Sequence, residues 1–344
     1  MTTRQTFLLI MTPLAMWNIL FTPLPFDEDL NYPPKTTSTA LRFGSGQIRG
    51  AAMMLVSKPW TTQRGGRQCY FNKSLDDLTN NWYPTNPYPL VLQHPNGWSQ
   101  QEMDDIRQRW PQLEIYFSKL GSSFHVSPPS LMEDHEKPLS SLGYKKMCVF
   151  KTYGFLQAPY VSQLDYMFYI DDDACITEPI QYDVFQIMQQ NDIAYAYKQI
   201  FLDPVNVVRG LADFVEDYKQ GHQLQPANPS LEAVMGGNDE GSLWAFSTNV
   251  EWMKLNAFRR SDVRDFHATL HELEIIFHRR WGDAPLRFVL AYLFFTNTQV
   301  MRMCLEYVHS SWPTAVSTCS DNLQLPIIQN AVLDHLQNCV AVCN

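Results

Sequence analysis

Short apolar runs alternate with longer amphipathic stretches through the middle of the chain. Residues 51–56 are an apolar run bounded by Gly50 and Pro59, the pattern of a strand buried on both faces, and residues 88–92 repeat it. Ser99-Gln100-Gln101-Glu102 has the form of a capping box, in which the serine and glutamate each satisfy an otherwise unpaired amide. It predicts a helix running to Arg109, and residues 113–117 then read as a strand. Residues 143–158 look helical, and 164–170 form an aromatic-apolar strand that runs directly into Asp171-Asp172-Asp173. A helix over 180–190 ends at Asn191-Asp192, and 193–197 is strand-like. Residues 205–218 and 263–279 read as amphipathic helices and 285–295 as a strongly apolar one. Strands alternating with helices predict an α/β fold, a mixed and mostly parallel central sheet with helices on both faces.

The ends of the chain read differently. Arg4 precedes an apolar stretch over 7–21, interrupted by Thr12, Pro13 and Asn18 and followed by proline and acidic residues at 22–29. That order predicts a signal peptide or short signal anchor over residues 1–25, because a spanning helix needs about 20 apolar residues. Proline, threonine, serine and glycine without periodicity mark 26–48 as a stem, leaving 49–344 as the catalytic domain. Seven cysteines contain no CxxC pair, which removes support for a zinc ribbon or thioredoxin-like motif. Disulfides drawn from Cys319, Cys339 and Cys343 would suit an oxidising lumen. Asn72-Lys73-Ser74 is a glycosylation sequon, whereas Asn228-Pro229-Ser230 is blocked by its proline. These features point to the Golgi or another secretory-pathway lumen, with a single-pass type II topology if the leader is an anchor.

Composition narrows the partners. With 26 Lys+Arg against 35 Asp+Glu, the net charge of −9 offers no electrostatic footprint for nucleic acid or anionic lipid. Hydrophobic residues at 45% exclude disorder as the dominant state. The aromatic content of 13% suits both a large core and a sugar-binding cleft.

The acidic triplet is the most informative local feature. Ligands of α/β folds sit at the carboxyl ends of strands, where adjacent like charges are costly unless a cation neutralises them. In an extended chain Asp171 and Asp173 return to one side while Asp172 points away, so the first and third can face one ion. Hard oxygen donors suit Mg²⁺ or Mn²⁺ bridging to phosphate, the DxD logic of nucleotide-sugar enzymes. Two other clusters carry less. His267, His271 and His278 share a helix face but lack the HExxH order, and read as a polar, solvated or partly buried face. Gly236-Gly237 has neither GxGxxG nor Walker spacing around it and reads as a loop.

Five segments, in order, resemble the fungal Golgi α-1,2-mannosyltransferases of glycosyltransferase family 15, the KTR type. Tyr144-Lys145-Lys146-Met147-Cys148-Val149-Phe150 is similar to the family's Tyr-x-x-Met-Cys-x-Phe. Tyr169-Ile170-Asp171-Asp172-Asp173-Ala174, with Tyr182-Asp183-Val184-Phe185 after it, aligns without gaps onto Arg-Val-Glu-Pro-Asp-Val and Tyr-Asp-x-Phe. Asn249-Val250-Glu251-Trp252 resembles Asn-Phe-Glu-Ile, and Tyr307-Val308-His309 resembles Tyr-x-His. Arg280-Trp281-Gly282-Asp283-Ala284-Pro285 matches at six consecutive positions. Leu55-Val56-Ser57-Lys58 corresponds to the early Leu-Val-Arg-Asn, while Tyr169 and Val149 stand where the motifs carry arginine.

The resemblance implies a GT-A-like fold, GDP-mannose as donor, Mn²⁺ as cofactor, a glycan or mannoside acceptor, and retention of anomeric configuration. Carried over by position, Asp171, Asp173 and His309 are the metal ligands, and Leu55, Ser57, Tyr144, Asp171 and Asp173 line the nucleotide site. Glu251 becomes the carboxylate beneath the sugar, and Asp283 a polar active-site residue. Without the motif, Glu251 reads as a surface carboxylate on a helix over 250–259 capped by Asn249, and Asp283 as the cap of a helix beginning at Ala284. Two alternatives share the fold: a degenerate glycan-binding or scaffold protein, and a transferase using another nucleotide sugar.

Overall fold

Strands that are apolar on both faces end up in the middle of a sheet, where helices can cover each side. The computed structural model describes residues 40–44, 46–56, 66–121, 124, 142–235, 241–303 and 305–309. Its seven-stranded sheet is built from β1 (Gly50–Leu55), β2 (Leu90–His94), β3 (Ile115–Lys119), β4 (Tyr166–Ile170), β6 (Tyr195–Tyr197), β9 (Val250–Lys254) and β10 (Val300–Arg302), in the order β10-β6-β9-β4-β1-β2-β3. β1 runs parallel to β2 and β4, β2 to β3, and β10 to β6; only β9 is reversed, antiparallel to β4 and β6. The mixed, mostly parallel sheet expected from the pattern is thus present. Two further ribbons pair β5 (Ala174–Ile176) with β11 (Tyr307–His309), and β7 (Ile200–Asp203) with β8 (Leu243–Phe246).

The main helices are α1 (Gly66–Asp77), α2 (Gln100–Arg109), α3 (Leu142–Thr152), α4 (Val184–Gln190), α5 (Leu211–His222), α6 (Ser261–Glu272) and α7 (Asp283–Phe294). They bury two cores. On one face Met53, Val91, Tyr169 and Tyr195 pack with Phe150, Phe246 and Phe288. On the other, Met54, Leu92, Phe168 and Trp252 meet Trp82 and Phe185, with Phe168 and Trp252 stacked at 4.8 Å and 8°. Gly50 is required by this packing, since a β-carbon there would lie 2.3 Å from the Phe185 ring.

Several expected elements form as read. Ser99 and Glu102 make the reciprocal capping box of α2. Asp183 caps α4 by accepting from the Gln186 amide, and Tyr88 donates to its other oxygen at 2.7 Å. Other expectations change. The helix over 205–218 is two pieces, Val205–Val208 and α5, because Gly210 turns the chain at a φ of 76°. The helix over 263–279 likewise breaks between α6 and Ile275–His278 at Glu274, with φ 47°. The helix over 143–158 stops at Thr152, and Gly154–Gln157 continues as a 3-10 turn. Residues 250–254 are not helical at all: inserted between β4 and β6, they alternate Val250 and Trp252 to one core with Met253 to the other, so packing overrides local propensity.

His267 is not on a solvated face. It is 2% exposed on α6, and neither ring nitrogen has a partner. The sequon serine, Ser74, is also buried, donating to the Ala174 carbonyl from α1. Residues 1–39, Ser57, Gly236, Gly237, Cys304, Cys319, Cys339 and Cys343 lie outside the described residues, so the leader, most of the stem and the late disulfides are not described. Among the described residues no helix is long and apolar enough to cross a membrane.

Burial, with a smaller push from the Arg287 charge, lowers the His267 imidazole from 6.5 to about 3. The unfolded chain therefore takes up a proton near pH 6.5 that the folded chain refuses until near pH 3, so this residue's contribution to stability is present above pH 6.5 and lost as pH falls. Urea unfolding at a series of pH values should show an acid limb made shallower by about 1.4 kcal/mol per pH unit in His267→Leu. Parallel limbs for wild type and variant would show that His267 accepts its proton while folded.

Candidate active site

β4 carries the acidic turn to the carboxyl edge of the sheet. All five of its residues are buried, after which the Ala174 amide donates back to the Asp171 carbonyl at 3.1 Å and closes the turn. β5 then pairs antiparallel with β11 in a register that sets His309 opposite Ala174. This register brings the imidazole to the carboxylates: His309 Nε2 lies 3.1 Å from Asp173 Oδ1 and 3.8 Å from Asp171 Oδ2. One donor atom from each of Asp171, Asp173 and His309 lies within 4.8 Å of the others. Two carboxylates and an imidazole at that spacing fit a divalent ion such as Mn²⁺.

Asn249, immediately before β9, orders this group. Its amide donates to Asp171 Oδ2 at 2.7 Å and lies 3.1 Å from His309 Nε2, while its carbonyl accepts from the Ser247 hydroxyl at 2.9 Å. Ser247 in turn bonds the Tyr307 hydroxyl at 2.7 Å. Burial alone would lower the His309 imidazole, but its bond to Asp173 and the charges of Asp173 and Asp171 hold it above the ordinary value.

Behind the turn sits a buried cation that the sequence reading missed. Lys151, 2% exposed near the end of α3, places Nζ 3.0 Å from Asp171 Oδ1, 2.9 Å from the Thr248 carbonyl and 3.3 Å from Asp283 Oδ2. Two of its N–H donors make hydrogen bonds, to Asp171 and to the Thr248 carbonyl, and Asp283 completes the site as an ion pair. The Tyr169 ring, 4.7 Å away, adds a cation–π contact. Burial opposes the charge, yet Asp171 and Asp283 outweigh it and push the ammonium well above its usual range, so it stays protonated. Its signal in the sequence was a lysine following the apolar run Met147–Phe150 of an otherwise buried helix face.

Asp283 does not cap a helix beginning at Ala284. Gly282 takes the cap position without a side-chain bond, and Asp283 is the first residue of α7. Its carboxylate instead accepts from the Thr248 hydroxyl at 2.6 Å and faces Lys151. Burial would raise it, but Lys151, Thr248, its own backbone amide and Arg287 together hold it below the ordinary range.

Glu251 likewise is no surface helix carboxylate. It lies on β9, between Tyr169 and Tyr197 in register, and is 1% exposed. Arg287 of α7 grips both its oxygens, Nε at 3.0 Å and Nη2 at 3.3 Å, and the same Nη2 donates to the Lys151 carbonyl at 2.7 Å. Burial raises the Glu251 carboxyl, against the opposing charges of Arg287 and Lys151. The structure thus joins Glu251 to the acidic turn through Arg287 and Lys151, not by direct contact.

The remaining expected residues fall around this core. Tyr144 on α3 lies beneath the Arg280 guanidinium, 4.7 Å from its ring, with its hydroxyl 3.4 Å from Nη1. Leu55 ends β1, the strand next to β4, and is partly exposed. Asp203 of β7 is an unexpected neighbour: burial pushes its carboxyl up to about 6, against the Arg280 charge.

Comparison with known proteins places this arrangement. The family described as glycolipid 2-alpha-mannosyltransferase matches residues 130–323 of the 344. The O-glycoside alpha-1,2-mannosyltransferase homolog 3 of Schizosaccharomyces pombe is 28% identical over 187 residues, 52% of this chain and 50% of that protein. The probable mannosyltransferase KTR4 of Saccharomyces cerevisiae is 22% identical over 253 residues, 66% of this chain and 54% of that one. The chain spans about half the length of the curated relatives it matches. Among solved structures, core-mannan synthase A of Aspergillus fumigatus in its Mn/GDP form superimposes with a TM-score of 0.69 at 16% identity, covering 89% of this chain and 90% of that one. Ktr4p of S. cerevisiae in complex with GDP gives 0.64 at 21%, covering 86% and 80%. Both likenesses establish the fold as that of the GT-A-like mannosyltransferases.

Removing the Lys151 charge leaves the buried Asp283 and the partly exposed Asp171 without their shared cation. Lys151→Met should lower the unfolding free energy by about 3–5 kcal/mol, and Asp283→Asn in the same chain should recover part of that loss. A double-mutant cycle in urea measures the coupling; strict additivity would show that the two groups do not share the charge. The family match over more than half of its length, together with the converging carboxylates and imidazole, makes this chain a member of the glycolipid 2-alpha-mannosyltransferase family.

Proposed function

We infer that the chain is a retaining α-1,2-mannosyltransferase, moving mannose from GDP-mannose to a glycan or mannoside acceptor in the lumen of the secretory pathway. The observation that carries this reading is the meeting of Asp171, Asp173 and His309 at the carboxyl edge of the sheet, 138 positions apart in sequence at the extremes. The Mn/GDP form and the GDP complex of the two structural neighbours support the same ligands here.

Asp171, Asp173 and His309 would hold Mn²⁺, which when bound supplies positive charge against the diphosphate of the departing nucleotide. The protein's own part is to fix that site: Lys151 and Asn249 between them occupy both oxygens of Asp171 and leave it one orientation. Leu55 and Tyr144, with Ser57 beyond the described residues, would border the nucleotide. In a retaining transfer the acceptor arrives on the face the nucleotide leaves, so a carboxylate on the opposite face can answer the positive charge that develops on the sugar. Glu251 takes that role in this proposal, as an electrostatic stabiliser locked by Arg287, which also bonds the Lys151 carbonyl, and Asp283 is the polar residue paired with Lys151.

Purified full-length chain assayed with GDP-mannose, Mn²⁺ and a simple mannoside should form a mannosyl product that EDTA abolishes. Asp173→Ala and His309→Ala should each lower turnover by roughly two orders of magnitude or more while leaving the fold intact by circular dichroism. Turnover indifferent to EDTA and to Asp173→Ala would refute the reading, and GDP binding without turnover would favour a glycan-binding or scaffold role.

A further inference from the structure

Asn72-Lys73-Ser74 is the one unblocked glycosylation sequon of the chain, and the transfer site makes no use of it. α1 turns the two ends of this sequon to different places. The Ser74 hydroxyl is buried and donates to the Ala174 carbonyl of β5 at 2.7 Å. Asn72, two residues earlier, lies roughly 200° round the helix and is partly exposed, with Gln68 one turn before it on the same face.

That face borders a groove of about 140 Å³ between α1 and α2. Gln68 and Asn72 line it from α1, Asp105 and Ile106 from α2, and Trp98 and Trp110 from either end of α2. Both indoles are fixed by their N–H groups, Trp98 donating to the Leu92 carbonyl at 3.1 Å and Trp110 to Asp76 at 2.7 Å. The exposed Asp105 carboxylate accepts from Gln101 at 2.6 Å through Oδ1, so Oδ2 can accept from a further donor. Fixed aromatic rings beside a carboxylate suit a pyranose, whose C–H face packs on the rings while its hydroxyls donate to the oxygens.

We propose that Asn72 carries an N-linked glycan whose first N-acetylglucosamine seats in this groove. The inference rests on the lumenal part of the reading above and extends it to a modification of the chain itself. The co-reactant is a polyprenyl-diphosphate oligosaccharide. Asn72 Nδ2 bonds to the sugar C1 and loses one proton, while the C1–O bond breaks and its electron pair leaves with the diphosphate. The sequon is read through the hydroxyl two residues after the asparagine, and in the folded chain that hydroxyl is buried against β5. Attachment therefore precedes the docking of α1 on β5, and the groove forms beside a sugar already in place.

Translating the full chain on microsomal membranes, and adding protease afterwards, separates entry into the lumen from modification. The protected chain should carry one glycan, Asn72→Gln should carry none, and glycosidase release in heavy-oxygen water should place the mass label on residue 72. An endoglycosidase should release the glycan from the native chain at least about tenfold more slowly than from the denatured chain. Trp98→Ala and Asp105→Ala should each bring those two rates within about twofold. If Trp98→Ala does not fold, Asp105→Ala, at an exposed position, still decides the seating. A protected chain without glycan overturns the proposal and leaves mannosyl transfer standing. Equal release from native and denatured wild type, or release left slow by both variants, overturns the seating. A chain that the protease destroys has not entered the lumen, which overturns the lumenal reading and this site with it.

Discussion

The site depends on one ammonium group kept charged where water does not reach it. Lys151 stands between the strand-end carboxylate of Asp171 and the helix-start carboxylate of Asp283, and also donates to the Thr248 carbonyl. A buried ion is tolerable only when it is paired and hydrogen-bonded, and here two carboxylates and a carbonyl surround it. Because β4, α3, α7 and the approach to β9 each contribute one participant, the ion ties together elements from four separate parts of the chain.

That arrangement bears on the two arginines this chain lacks. Tyr169 and Val149 occupy the positions where the resembled motifs carry a cation, yet the charge has not vanished from the neighbourhood. Lys151 supplies it two residues beyond Val149, and the Tyr169 ring serves as the surface beneath it. The replacement is not equivalent. Lys151 is 2% exposed and its charge faces Asp171 and Asp283, so this cation steadies carboxylates from behind the turn.

Much of the scaffold was legible from pattern alone, because β2 and β4 are buried throughout, β1 is buried up to Leu55, and the α2 capping box is written in two side chains. Asp171 and Asp173 were legible because they end such a strand. What escaped has physical causes. β5 and β11 are three residues each, too short for any periodicity, yet their register is what delivers His309. Glu251 sits in a strand whose local sequence reads as a capped helix, and only its neighbours on both sides make it extended. Asp283 looked like a cap because Pro285 falls in the first turn of the helix that follows it; its carboxylate was claimed by Thr248 and Lys151 instead.

The pairing of β11 with β5 closes a loop from residue 174 to residue 309 with only three residues on each strand. Everything in the seven-stranded sheet can be in place before that closure, since β10 is complete at Arg302. In chain order the sheet is therefore complete before the imidazole that joins the acidic turn. A chain cut before Tyr307 would keep every strand of the seven-stranded sheet and lose the imidazole that faces Asp171 and Asp173.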